Sequence, residues 1–211
     1  MHDDLRLLLD KSTARLENAN TVTLPLSRRS EILKLLGPRI RQSDGMAKVT
    51  IGLKRRTTVA ILSAKYVAAE WTAGYPDDPL PAQIVAMSRQ YVEGSATQPA
   101  LWDLANTFWT RSEILRSTGA AMPAIYAGCA AAKTASVAFR DEDFGGNSLE
   151  DDASDREGEF TDWDGALFAS LAYCKEGALP PAVSDSLRRD FWLWYLRRAV
   201  PAAFEIYPEI H

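Results

Sequence analysis

Apolar residues along this chain recur at intervals of three and four, and the strict alternation of a β-strand is almost absent. In the segment 51–71, Val59, Leu62, Tyr66 and Ala69 follow this spacing, which turns one face of a helix towards the interior. Similar patterns, bounded by proline and glycine, predict helices over residues 3–17, 27–36, 51–71, 81–93, 99–116, 123–139 and 185–199. The spacing therefore predicts an all-α fold.

The predicted C-terminal helix carries six consecutive large apolar residues, 191–196 (FWLWYL), which point all round the helix axis. Such a helix is buried on most sides. We expect one domain of about seven to nine packed helices with this aromatic C-terminal helix in its centre. The alanine-rich stretch 120–138 contains Lys133 and lacks the roughly 20 strongly apolar residues of a membrane span, so it is interpreted as a second buried helix.

Length and composition predict one domain over residues 1–211, with 1–45 as an N-terminal extension. A net charge of -4 argues against a dedicated nucleic-acid-binding protein, and nothing indicates a membrane partner.

Two cysteines, Cys129 and Cys174, are too few for a disulfide framework and are expected to be small buried side chains. The acidic residues at the N-terminus do not fit a signal peptide, and we expect a cytoplasmic protein.

Histidine is scarce, because the chain has only His2 and His211, both in terminal segments. A nucleophile activated by histidine and a zinc site of the usual kinds are therefore not expected. Residues 141–152 resemble a calcium loop, but the match is poor because Gly145 stands at the fifth position and Asp152 at the twelfth. We expect no catalytic residue, no metal site and no cofactor.

Charge is distributed unevenly between two segments. The acidic segment, residues 141–164, contains eleven acidic residues and one base, Arg156, whereas the basic segment, residues 28–56, contains nine bases and two acids. Residues 140–162 are predicted to form a long acidic surface loop. Either the acidic segment is solvated or paired with the basic segment, or it produces a field that steers a partner.

Four blocks carry a family resemblance: residues 71–94 (WTAGYPDDPLPAQIVAMSRQYVEG), 124–144 (AIYAGCAAAKTASVAFRDEDF), 161–174 (TDWDGALFASLAYC) and 188–202 (RRDFWLWYLRRAVPA). With these blocks the sequence resembles the fifth family of bacterial immunity proteins, mostly helical antidotes encoded beside polymorphic toxins. The resemblance covers most of residues 50–205, and the last block is its most distinctive part. The first 45 residues show no clear match.

The resemblance implies inhibition by binding, without catalysis, of a cognate toxin protein whose active site or substrate path is covered. A toxin that attacks nucleic acid presents a basic surface, which an acidic segment can imitate and approach rapidly. On charge alone, we predict that the toxin-facing residues are Asp141, Glu142, Asp143, Glu150, Asp151, Asp152, Asp155, Glu157 and Glu159, with Trp163 as an aromatic anchor.

Two other functions remain open at this point. A helical scaffold or adaptor that binds a host protein would have the same composition. An enzyme that uses carboxylates and a divalent metal is the third possibility, because neighbouring acids such as Asp151 and Asp152 can serve such chemistry.

Overall fold

A computed structural model describes residues 1–18, 21–43, 45–141, 160 and 163–208 of the chain. Within these residues the protein is all-α, without a named strand, as the spacing predicts. The helices are α1 (Asp3–Asn18), α2 (Leu26–Leu35), α3 (Ile51–Tyr66), α4 (Ala68–Gly74), α5 (Leu80–Val92), α6 (Gln98–Ser117), α7 (Met122–Arg140), α8 (Gly165–Tyr173), α9 (Pro181–Trp194) and α10 (Val200–Ile206), with a π-helical segment, Tyr195–Ala199, joining the last two.

The structure differs from the prediction in three places. One is α10, which follows residue 199, where the predicted C-terminal helix ends. Residues 51–71 were expected to form one helix, but the chain leaves the helical conformation at Val67 and begins α4 at the next residue. The nine residues of α8 were not predicted to be helical. Seven of these nine residues are buried, so the helix has no polar face whose period could be recognised.

The Ala-rich helix α7 lies in the centre of the fold, where it contacts α3, α4, α5, α6 and α8. Fifteen of its 19 residues are buried, which confirms the predicted buried helix. Its neighbours approach closely because its side chains are small. A Cβ atom added at Gly128 would lie 2.4 Å from Cζ of Phe108 and 2.9 Å from Cε3 of Trp71.

The prediction that the aromatic C-terminal helix occupies the centre is wrong. This helix and the π segment after it pack against α1, α3 and α8, at one side of α7. Its burial is confirmed, since Phe191, Trp192, Tyr195 and Leu196 are at most 1% exposed. Large side chains hold neighbouring backbones apart, whereas alanines allow five helices to surround one.

The N-terminal helix α1 contributes Leu5, Leu9 and Leu16 to the core and packs against α2, α9 and the π segment. Both cysteines are buried and free, as predicted. Among the helices of the described residues, none combines the length and the apolar character that crossing a membrane requires.

Candidate partner-binding surface

Two buried ion pairs hold the two ends of the acidic segment. At the end of α7, Arg56 of α3 donates from Nε to Oδ1 of Asp141 at 2.6 Å and from Nη2 to Oδ2 at 2.7 Å. At the start of α8, Arg29 of α2 donates from Nε to Oδ2 of Asp164 at 2.9 Å. We call these the Asp141 pair and the Asp164 pair. In both, an arginine of the basic segment neutralises a terminal residue of the acidic segment.

The Asp141 pair lies where the loop after α2 crosses α3. Besides the carboxylate, the guanidinium of Arg56 donates to the carbonyl oxygens of Leu33 at 3.2 Å, Gly37 at 2.8 Å and Pro38 at 3.2 Å. Burial lowers the pKa of Arg56, and the hydrogen bond and charge of Asp141 oppose that shift. Such a dense set of acceptors keeps a buried guanidinium charged and fixed.

The approach of that loop depends on glycine. A Cβ atom added at Gly52, in the first turn of α3, would lie 2.6 Å from the carbonyl carbon of Gly37 and 2.7 Å from the oxygens of Gly37 and Pro38. Two of the three backbone acceptors of Arg56 are therefore available because residue 52 has no side chain.

The Asp164 pair combines an ion pair with a helix cap. Oδ1 of Asp164 accepts a hydrogen bond from the backbone N–H of Leu167 at 2.9 Å, which caps the N-terminus of α8. Its other oxygen, Oδ2, accepts from Arg29. The Arg29 guanidinium also donates to the carbonyl of Leu24 and lies 5.2 Å from the ring centre of Trp192. This pair joins α2 and α8 to the C-terminal helix.

Asp141 was predicted to face the toxin, and the structure corrects this assignment. Its side chain is 3% exposed because both of its oxygens bind Arg56, so it does not belong to an exposed surface. The other predicted acids, Glu142, Asp143, Glu150, Asp151, Asp152, Asp155, Glu157 and Glu159, lie outside the described residues, as does the rest of the calcium-like stretch up to 152. Their role stays a prediction.

Trp163, the predicted aromatic anchor, lies half-buried at the C-terminal end of the acidic segment. Its ring centre is 5.2 Å from that of Phe160 and 5.8 Å from that of Phe168. The guanidinium of Arg116 lies 4.0 Å from the centre of Phe160. The indole Nε1 of Trp163 is buried and has no hydrogen-bond acceptor among the residues that the structure describes. Phe160, Trp163 and Phe168 form an aromatic group. In the sequence, Trp163 directly precedes Asp164 of the Asp164 pair.

Reasoning from the sequence missed Arg29, Arg56, Phe160 and Arg116. A signal existed for Arg56, because it lies within the apolar spacing of α3, where an exposed base would not be expected. Arg29 likewise lies on the buried side of α2. No comparable signal existed for Arg116, whose aromatic neighbour is distant in the sequence.

The described part of the chain offers little for catalysis. Burial raises the pKa of the Cys129 thiol and of the Cys174 thiol, so neither is a thiolate at neutral pH. No group of three His, Cys, Asp or Glu residues that could hold a metal ion occurs among the described residues. What the geometry does provide is two fixed ends for an acidic segment and an aromatic group beside one of them.

Comparison with known families identifies an immunity protein family. The family model described as immunity protein Imm5 matches residues 9–202, which includes both ion pairs and every helix from the middle of α1 to the start of α10. The match begins at residue 9, so it also covers most of the first 45 residues, which show no clear resemblance by sequence alone. A search of curated proteins finds no match. Because the model covers most of its length, the chain belongs to the Imm5 immunity protein family.

Proposed function

We propose that this protein binds a toxin domain and neutralises it without catalysis, by covering the active site or the path of the substrate. The observation that carries the proposal is the family match over residues 9–202. The arrangement around the acidic segment supports the same function and indicates the surface involved.

The two ends of the acidic segment start close together. Arg29, Arg56 and Asp164 line one small cavity of about 30 Å³, and Asp141 is bonded to Arg56. The 22 residues between the two pairs therefore leave and return to one place on the domain.

Those 22 residues carry nine acidic residues and one arginine. The carboxylates of Asp141 and Asp164 are already neutralised by arginines, so the remaining acids determine the charge that a partner meets. A toxin that acts on nucleic acid needs a basic surface, and opposite charge accelerates association with such a surface. We therefore place the toxin-facing surface on this segment, with Trp163 as its aromatic neighbour.

The test measures growth of cells that express the toxin domain encoded beside this gene, together with association rates in vitro. The charge variant changes Asp151, Asp152, Asp155 and Glu157 to Lys. Its matched control changes Asp10, Asp77, Asp103 and Glu113 to Lys, four exposed acids from other parts of the chain, with the same change in net charge.

The wild-type chain and the control should protect the cells. The charge variant should associate at least about tenfold more slowly at low salt and show a weaker salt dependence. Equal association of both variants would place the interface elsewhere and leave the neutralising role intact. Failure of the wild-type chain to bind or protect against this toxin would contradict the proposed function itself.

A further inference from the structure

A trough between the helices shares no lining residue with the cavity beside the Asp141 pair and the Asp164 pair. It lies between α3 with α4 on one side and α5 on the other, has α7 as its floor, and encloses about 290 Å³. Six alanines line it: Ala64, Ala68, Ala82, Ala86, Ala127 and Ala131. Because methyl groups occupy little of the space between the helices, an elongated cavity remains that opens to solvent along exposed Ala68, Ala82 and Ala86.

The interior of the trough is apolar. Ile61, Trp71 and Val85 form its walls with the alanines. The polar atoms nearby are already bonded, since the indole N–H of Trp71 donates to the carbonyl of Asp78 and the hydroxyl of Thr72 donates to the carbonyl of Ala68. An occupant of the interior therefore meets mainly apolar groups and is favoured when it is a hydrocarbon.

The rim of the trough carries positive charge. Lys65 is exposed and Arg89 is half-buried, and neither forms an ion pair within the described part of the chain. The one carboxylate of the lining, Asp78, already has a cation of its own. Its Oδ2 forms an ion pair with Nη1 of Arg111 at 2.7 Å without a hydrogen bond, and its Oδ1 accepts from the N–H of Leu80. The two cations are thus the groups that remain for an anionic head group.

The dimensions fit a linear molecule. Helix α5 follows the trough from Pro81 to Arg89, which corresponds to a length of about 12 Å. We propose that the trough binds a linear amphiphile with a carboxylate head, of the medium-chain fatty acid class. Its alkyl chain lies along the alanines of α7, and its carboxylate lies at the rim, where the charges of Lys65 and Arg89 attract it.

The probes are three molecules with the same ten-carbon chain: decanoate, decan-1-ol and decyltrimethylammonium, used below their micellar concentrations. Binding to the full chain is measured by titration calorimetry, and its position by the shifts of alanine methyl signals in NMR spectra. Decanoate should bind with a stoichiometry of one and shift the methyls of Ala127 and Ala131. The alcohol and the ammonium compound should bind at least on the order of tenfold more weakly, because a charge-assisted hydrogen bond is lost.

Two variants test the site with matched controls. Ala86→Trp places a large side chain at the exposed rim and should abolish decanoate binding, whereas Ala182→Trp, at an exposed position of α9, should not change it. The double variant Lys65→Glu with Arg89→Glu should bind decanoate on the order of tenfold or more weakly. The control Arg15→Glu with Lys34→Glu changes the net charge equally at exposed positions outside the trough and should bind as the wild type does.

Thermal melting followed by circular dichroism identifies any variant that fails to fold, and the comparison of the three probes on the wild-type chain stands without variants. The proposal is overturned if decanoate shows no saturable binding, or if decyltrimethylammonium binds as tightly as decanoate does. It is also overturned if folded Ala86→Trp still binds decanoate. A different result would assign the trough to the toxin. In that case the wild type does not bind decanoate, and Ala86→Trp loses affinity for the toxin because side chains of the toxin occupy the trough.

Discussion

The Asp141 pair and the Asp164 pair use the same two residue types, at opposite ends of one segment, in different ways. Asp141 gives both of its oxygens to Arg56, and its backbone adopts a left-handed conformation with φ of 49° at the end of α7. Asp164 gives one oxygen to Arg29 and the other to the first turn of α8. Asp141 therefore uses both carboxylate oxygens in one ion pair. Asp164 uses one oxygen in an ion pair and the other to cap a helix.

The stability of a buried pair therefore depends on the whole set of donors and acceptors around it. Arg56 is surrounded by backbone carbonyls in addition to Asp141, whereas the second partner of Asp164 is a backbone N–H. Removal of Asp141 would leave a buried cation without its counter-ion, which is the costly case. Conservative replacement of Asp164 can retain half of its contacts.

The largest effect is expected for Asp141→Gly. Glycine adopts φ of 49° without strain, so the substitution removes the carboxylate and leaves the backbone undisturbed. The free energy of unfolding should fall by about 3 kcal/mol, because Arg56 stays buried and unpaired. Urea denaturation measures the change. Adding Arg56→Met should recover part of the loss, and a loss below about 1 kcal/mol for the single variant would show that the pair contributes little.

The next effect is expected for Gly52→Ala, which tests the backbone crossing that supplies acceptors to Arg56. The added methyl group would meet the backbone of Gly37 and Pro38, so the free energy of unfolding should fall by about 2 kcal/mol. Gly74→Ala is the matched control, because its Cβ would meet only the Cβ of Ala124, at 3.3 Å. In double-mutant cycles, Gly52→Ala should be non-additive with Asp141→Gly and additive with Asp164→Asn. Additivity with both would contradict the connection between the crossing and the Asp141 pair.

A smaller effect is expected for Asp164→Asn. The amide oxygen still caps α8, and the charge opposite Arg29 is lost, so the free energy of unfolding should fall by about 1–2 kcal/mol. Asp164→Ala also removes the cap and should cost about 1 kcal/mol more. Equal losses in the two variants would mean that the cap contributes nothing and that Asp164 behaves as Asp141 does.

The smallest effect is expected for Glu31→Ala. Its partner Arg28 is the neighbour of Arg29, but this pair is exposed, with side-chain exposures of 36% for Arg28 and 53% for Glu31. The free energy of unfolding should change by less than about 0.5 kcal/mol, because exposed pairs one helical turn apart contribute little. A loss as large as that of Asp164→Asn would show that burial is not what separates these pairs.

The sequence predicts the helices of this fold well because most of them have one buried face, and a period of three to four residues records it. It does not predict α8, whose residues are buried on nearly all sides, nor the break at Val67, where no proline or glycine marks the end of α3. It also does not predict α10, which has Pro201 in its first turn. The centre was assigned to the wrong helix for a physical reason. Large aromatic residues indicate burial, but centrality depends on how closely helices approach, and Gly128 and the alanines of α7 decide that.

The sequence also predicts the two charged segments, because charge can be counted along a chain. It cannot show which charges are exposed, since burial is decided by contacts between residues distant in sequence. Asp141 and Arg56 are 85 positions apart, and Asp164 and Arg29 are 135 apart. The assignment of Asp141 to the surface was wrong for this reason.

The burial of both cysteines has a practical consequence. Cys129 and Cys174 are inaccessible, and burial raises the pKa of each thiol, so neither reacts readily with alkylating reagents in the folded protein. A single cysteine introduced at an exposed position can be labelled while the native ones are left in place. Fluorophores or spin labels near either end of the acidic segment can then report distances in the natural sequence background.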